Sequence, residues 1–276
     1  GRLQYCFFEL EMDAAVKTRR ALEADLRDAM TRNDLFLAYQ PQVDRNGQMT
    51  GVEALLRWTH ETRGPVSPSF FIPVAEECGL IVELGMFTLR QAFEDSRRWP
   101  ELKVAVNVSA NQMRIKDFVD RVEDLVAEIG VDPRQFELEI TEGILLGDDP
   151  STLQTLRRLR GMGFSLALDD FGTGYSSLSY LQRYPITKIK IDRAFIANLG
   201  VDEEAEAVVG AIVKLARALK LSVIAEGVET SDQRTRLASA GCMAIQGFLF
   251  SRPVPADAID GLRASGALLT EQLVHP

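Results

Sequence analysis

From Leu35 onward the chain alternates short β-rich runs with helical stretches, and almost every β-rich run carries, or ends on, a charged or amide side chain. The runs are Leu35–Val43, Gly51–Arg57, Lys103–Val108, Phe136–Ile140, Ser165–Leu168, Ile186–Ile191, Ser222–Ala225 and Ala244–Leu249. Eight strands separated by segments that can form crossover helices predict an α/β fold, a (β/α)8 TIM-like barrel. A doubly wound sheet is the rival. Asp44-Arg45-Asn46-Gly47 is a turn signature, so the first two runs are expected to pair as a hairpin. Phe118, Val122, Leu125 and Ile129 form one apolar helical stripe. Asp149-Pro150 and Thr230-Ser231-Asp232-Gln233 are helix starts, the second a capping box.

The polar residues in these runs are Glu53, Asn107, Glu139, Asp169, Asp170, Lys190, Glu226 and Gln246, with Glu142, Asp192 and Glu229 just beyond. Burying one such group alone is expensive, so this many must satisfy one another or a bound ion. The carboxyl ends of barrel strands converge on one face, whereas a doubly wound sheet would spread them along a crevice. Any one of these residues alone reads as a solvated surface group or a local cap; the joint pattern favours the barrel. The set is rich in oxygen, and the chain has only two histidines, His60 and His275. All-oxygen ligands suit Mg²⁺ or Mn²⁺. Asp169-Asp170 suggests a bridge between two ions about 3.5–4 Å apart, the arrangement for in-line attack on a phosphodiester. Lys190, the one cation of the set, is expected to stay charged beside carboxylates and to position water rather than act as a base. Asp170-Phe171-Gly172-Thr173-Gly174-Tyr175-Ser176-Ser177 reads as a mobile loop over the site, and no P-loop pattern is present.

Lys and Arg number 31 against 40 Asp and Glu, a net charge of −9 over 276 residues, which argues against a DNA or RNA duplex as partner. Three scattered cysteines, Cys6, Cys78 and Cys242, fit a reducing compartment. No run reaches the roughly 18 apolar residues of a membrane span, so this fragment is expected to make no direct membrane contact. His60 reads as surface, and Met113 and Met162 as core fillers. Residues 1–18 are expected to be the tail of a preceding domain plus a linker, and 19–276 the catalytic unit.

The motifs Tyr39-Gln40-Pro41, Glu53-Ala54-Leu55-Leu56-Arg57-Trp58, Asn107-Val108-Ser109, Glu139-Ile140-Thr141-Glu142, Asp169 to Gly174, Lys190-Ile191-Asp192, Glu226 to Thr230 and Gln246-Gly247-Phe248 occur in that order. In this the chain resembles the EAL domain, the family of cyclic di-GMP phosphodiesterases. The one departure noted is Glu61 after His60, where the family usually has Pro. The resemblance implies a barrel whose first strand is antiparallel to the rest, and hydrolysis of cyclic di-GMP to linear pGpG. It implies Glu53, Asn107, Glu139 and Asp169 as ligands of a first metal, and Asp169, Asp170 and Glu226 as holders of a second. Lys190, Glu53, Asp170 and Glu226 would be the catalytic set. Gln40, Leu56, Arg57, Asn107, Asp192 and Gln246 would contact substrate, and Glu229 would support the site. Glu142 would anchor the loop that holds Phe171, Gly172, Thr173 and Gly174 and couples dimerisation to activity. The opening residues resemble the end of a GGDEF domain, implying a GGDEF–EAL tandem, a homodimer, and a cytoplasmic placement in a full-length protein that could be membrane-anchored. The alternatives are a non-catalytic cyclic di-GMP receptor and, more remotely, a metabolite-binding scaffold.

Overall fold

In the computed structural model the described residues are 19, 21–32, 34–145, 149–172 and 178–265. Nine strands form one sheet: β1 Leu35–Asp44, β2 Met49–His60, β3 Gly64–Val66, β4 Lys103–Asn107, β5 Phe136–Thr141, β6 Ser165–Phe171, β7 Lys188–Ile191, β8 Ser222–Ala225 and β9 Ala244–Gln246. Their order is β1-β9-β8-β7-β6-β5-β4-β2-β3, and β1 also pairs with β2, which closes eight strands into a barrel and rules out the doubly wound rival. Neighbours from β2 through β4 to β9 run parallel, while β1 meets β9 antiparallel, with Gln42 opposite Gln246. The turn between β1 and β2 is built by Asp44, whose Oδ1 accepts from the backbone N–H groups of Asn46 and Gln48.

The sequence missed β3, and it placed the end of the last strand too late. Gly64-Pro65-Val66 is too short to alternate, and it pairs only with the end of β2, Trp58 facing Val66. After Gln246 the chain leaves the sheet, and the Phe250 and Ser251 N–H groups both turn back to the Gly247 carbonyl.

The described residues fall into two compact units. One holds the described residues up to Phe36 together with Leu56–Phe87. Its helices are α1 (residues 21–32), α2 (Pro68–Cys78) and the start of α3 (Ile81–Ser96). Leu26, Ala29, Trp58, Phe71, Ala75 and Leu84 form its core, with the Trp58 and Phe71 rings edge to face at 5.7 Å. His60 belongs to this unit and is not the surface residue its loop setting suggested. Its side chain is 12% exposed, its ring lies 5.7 Å from that of Trp58, and Nδ1 accepts the Thr62 N–H. That fixes the proton of the neutral ring on Nε2, 3.3 Å from Asp25 Oδ2.

The other unit holds Leu37–Leu55 and the described residues from Thr88. Its parallel strands are covered on both faces and so read as nearly continuous apolar runs: Val104, Val106, Leu138, Ile140, Leu166, Leu168, Ile189, Ile191 and Ile224 are all buried. Phe93, Phe136 and Phe164 cluster beneath them, Phe93 and Phe136 with ring centres 4.4 Å apart. The helix starts fall as the caps require. The stripe from Phe118 is α5 (Phe118–Ile129). Asp149 caps α6 (Pro150–Met162), and Thr230 and Gln233 close a capping box on α10 (Ser231–Ala240). α4 (Ala110–Met113) precedes α5, and α7 (Leu178–Arg183), α8 (Arg193–Ala197) and α9 (Glu203–Ala218) lie between α6 and α10. Among the described residues no helix is long and apolar enough to cross a membrane.

Candidate active site

Side chains two residues apart on a strand share a face, so β5 points Glu137 and Glu139, and β7 points Lys188 and Lys190, to the same side. The upper pair meets at the barrel end where the parallel strands finish. Lys190 Nζ lies 2.5 Å from Glu139 Oε2, 2.7 Å from Glu226 Oε1, 3.2 Å from Asp169 Oδ1 and 3.6 Å from Glu53 Oε1. The lysine is 1% exposed, so one ammonium stands against four carboxylates out of water's reach.

Amides tie this cluster to its neighbours. Asn107 Nδ2 donates to Glu53 Oε1 at 2.8 Å. Gln246 Nε2 donates to Glu53 Oε2 at 2.5 Å and to Gln40 Oε1 at 3.0 Å. Gln40 Nε2 donates in turn to the Ser251 carbonyl. Two buried oxygens in the cluster, Glu139 Oε1 and Gln246 Oε1, have no hydrogen-bond partner among the described residues. An unmet buried acceptor costs about 1–3 kcal/mol, so these two are a standing demand for a cation or donor.

The electrostatics follow from burial and the shortage of positive charge. Burial raises Glu139 well above the usual carboxylate range, and the Glu53 carboxylate adds to it. Burial would also raise Glu53, but Lys190 and the amides of Gln246 and Asn107 outweigh it and hold Glu53 below its ordinary value. Glu226 is pushed up to about 8, by burial first and then by Glu53 and Asp169, against the pull of Lys190. Burial would lower Lys190; the surrounding carboxylates, Glu139 foremost, drive it well above its usual value instead.

Strict alternation would send Asp169 and Asp170 to opposite faces. The β6–β7 register shifts between Leu168 and Phe171, and Asp170 takes a left-handed φ of 55°. A bulge of this kind re-aims a side chain. Asp169 reaches Lys190, and Asp170 lines the cavity outside it. Burial raises the Asp170 carboxyl, and Asp169 and Asp192 raise it further.

That cavity, about 330 Å³, is lined by Gln40, Glu53, Asp170, Asp192, Glu226, Glu229 and Gln246 among others. Gly247 lets its wall close, because a Cβ there would stand 2.1 Å from the Val228 carbonyl oxygen. Gln40, Glu53, Asn107, Glu139, Asp169, Asp170, Lys190, Asp192, Glu226, Glu229 and Gln246 are thus gathered at one end of the barrel. Glu142 is buried in the single turn after β5, and Phe171 is buried at the end of β6, followed by Gly172. Thr173 and Gly174 lie outside the described residues. Leu56 and Arg57 stand on β2 beyond Leu55, in the other unit, where Arg57 Nη1 donates to the Leu56 carbonyl. Sequence reasoning missed Arg193 and Phe248, which also line the cavity. In the sequence Asp192-Arg193 looks like a surface pair, but Asp192 caps α8 through the Ala194 N–H.

The donor set fits a divalent cation by chemistry: all oxygen, with negative charge in excess and two acceptors unmet. The arrangement is nevertheless drawn in around the ammonium. Among the described residues no three Asp, Glu, His or Cys side chains form a ready metal-holding group.

The model of the EAL domain matches residues 23–253. A bifunctional diguanylate cyclase/cyclic di-GMP phosphodiesterase, MucR of Pseudomonas aeruginosa, is 44% identical over 263 residues, which cover 93% of this chain and 38% of that protein. The chain therefore spans well under half the length of this curated relative. Among solved structures, the MucR phosphodiesterase in complex with c-di-GMP superposes with a TM-score of 0.83 at 44% identity, covering 87% of this chain and 99% of that one. The EAL enzyme Bd1971, in a form bound to cAMP and cyclic di-GMP, gives 0.86 at 33% identity, covering 90% and 70%.

Proposed function

Because this chain belongs to the EAL domain family, we propose that it is a divalent-metal-dependent phosphodiesterase that opens cyclic di-GMP to linear pGpG. The observation that carries the reading is the four-carboxylate cluster around Lys190, with the unmet oxygens of Glu139 and Gln246 beside it. The relatives whose names or titles include cyclic di-GMP supply the substrate class. Glu53, Asn107, Glu139 and Asp169 would hold one Mg²⁺ or Mn²⁺, and Asp169, Asp170 and Glu226 a second. Bound there, such ions would lower the pKa of a water and offset charge on the phosphodiester.

The chain's own groups do the rest. Lys190 remains an ammonium, so it donates hydrogen bonds and holds an oxygen in place but takes no proton. Gln246 and Asn107 fix both oxygens of Glu53. Gln40, Asn107, Asp192 and Gln246 would contact the dinucleotide, with Leu56 and Arg57 as further contacts, the arginine toward a phosphate. The native protein would carry a GGDEF-like domain upstream, its tail ending near residue 18. Its cytoplasmic EAL portion would act as a homodimer, with Glu142 anchoring the loop after Phe171.

A second reading, a receptor that binds cyclic di-GMP without cleaving it, draws on one observation: the carboxylates close on an ammonium rather than on an open cation position. One assay separates the two. Cyclic di-GMP is incubated with Mg²⁺, with Mn²⁺ and with chelator, and products are resolved by chromatography. Metal-dependent pGpG that disappears in Glu53→Ala supports the enzyme; binding without product under either metal supports the receptor.

A further inference from the structure

Arg193 lines a cavity that it shares with the carboxylates of Glu53, Asp170, Asp192, Glu226 and Glu229, yet among the described residues its side chain makes no hydrogen bond or ion pair. An arginine in that company would be expected to fold onto the nearest acid. Its stem is held instead. Asp192 caps α8 and fixes the backbone on one side. On the other, Gly227 comes so close that a Cβ there would stand 2.5 Å from Arg193 Cβ. The glycine has a φ of 68°, which suits the tight turn after β8. A fixed stem with an exposed head is a fork held ready for a ligand.

The same cavity carries an exposed aromatic ring. Phe248 is 44% exposed, and the Arg252 guanidinium sits 4.3 Å from its ring centre, a cation–π contact that steadies the ring. A flat apolar surface beside a planar fork of donors suits a purine base.

We infer that Arg193 and Phe248 form a base-reading subsite, in which Phe248 stacks the purine and Arg193 donates to the O6 and N7 acceptors of guanine. Adenine presents an amino group where guanine presents O6, so the same fork would set donor against donor. This rests on the cyclic dinucleotide reading above and adds to it the group that selects the base. The guanidinium also fits a phosphate, and the test separates these two partners.

Binding of cyclic di-GMP and cyclic di-AMP is measured by calorimetry for the wild type, Arg193→Ala, Arg193→Lys and Phe248→Ala, alongside KM and kcat for cyclic di-GMP. Arg193→Ala is expected to weaken cyclic di-GMP binding about tenfold or more, with little effect on cyclic di-AMP, and to raise KM far more than it lowers kcat. Arg193→Lys should fail to restore the preference, because an ammonium lacks the planar fork. Phe248→Ala should weaken both dinucleotides alike. Equal loss for both in Arg193→Ala, restored by lysine, would overturn base reading in favour of a phosphate contact. Unchanged affinities would remove Arg193 from the site. A wild type that binds with the expected preference but releases no pGpG would overturn hydrolysis and leave the subsite standing. Failure to bind either dinucleotide would overturn both.

Discussion

Lys188 and Lys190 leave one strand in the same direction, two residues apart, and meet different company. Lys188 has a single acid, Glu137, at 2.6 Å, and the pair is nearly neutral. Lys190 has four acids within 4 Å and cannot balance them. Glu137 stands on β5, with β6 between it and β7, whereas the acids around Lys190 come from β2, β5, β6 and the end of β8. The difference is one of charge count and of height along the strands. The lower layer is a closed ion pair of the kind that serves packing, whereas the upper layer keeps an excess of negative charge that only a ligand or shared protons can settle. A site is recognised here by the imbalance, not by the presence of buried charge.

The comparison can be broken most severely at Lys190. Lys190→Met leaves the carboxylates with no counter-charge, and hydrolysis of cyclic di-GMP should fall by about 10³-fold or more at saturating Mg²⁺, an effect on the scale of losing a key electrostatic group. Circular dichroism would check that the variant is folded, and activity within tenfold of wild type would mean that the lysine only packs. At the lower layer the loss should appear in stability instead. Lys188→Met strands a buried Glu137 and is expected to cost about 3 kcal/mol in urea unfolding, with kcat per folded molecule nearly unchanged. Pairing it with Glu137→Leu should recover most of that loss, which no second substitution should do for the activity of Lys190→Met.

A smaller effect would sharpen the upper layer. Mg²⁺ or Mn²⁺ should raise the unfolding temperature of the wild type and not that of Glu139→Gln, since a ligand held only by the folded state stabilises it by about 2.7 kcal/mol at a hundred times its dissociation constant. An equal shift in both proteins would place the ion elsewhere. Smallest of all should be Gln246→Leu, which removes the donor to Glu53 and Gln40 for about 1–2 kcal/mol and should raise KM more than it costs stability.

Most of the upper layer could be read from the sequence, because an acid or a lysine inside an apolar strand has few physical excuses. Glu53, Glu139 and Lys190 declared themselves in this way, and the barrel brought them together. The lower layer was not legible: Glu137 and Lys188 stand near the strand starts, where a charged residue reads as the solvated edge of a run. Arg193 was hidden by its neighbour, since Asp-Arg at a helix start looks like a surface pair until the aspartate is seen capping the helix. Strand β3 escaped because three residues carry no period. The bulge that turns both Asp169 and Asp170 toward the site has no mark in the sequence beyond the doubled acid itself.

The reversed first strand has a consequence for how this molecule can change over time. Gln40 and Glu53 meet Gln246 together only because β1 and β2 are two arms of one hairpin whose bend, at Asp44 to Gln48, lies at the far end of the strands. Adding or deleting one residue in that bend would slip one arm against the other and turn its inward side chains outward. The bend could therefore tolerate many exchanges of residue type and hardly any change of length, and lineages should drift there in spelling while keeping count.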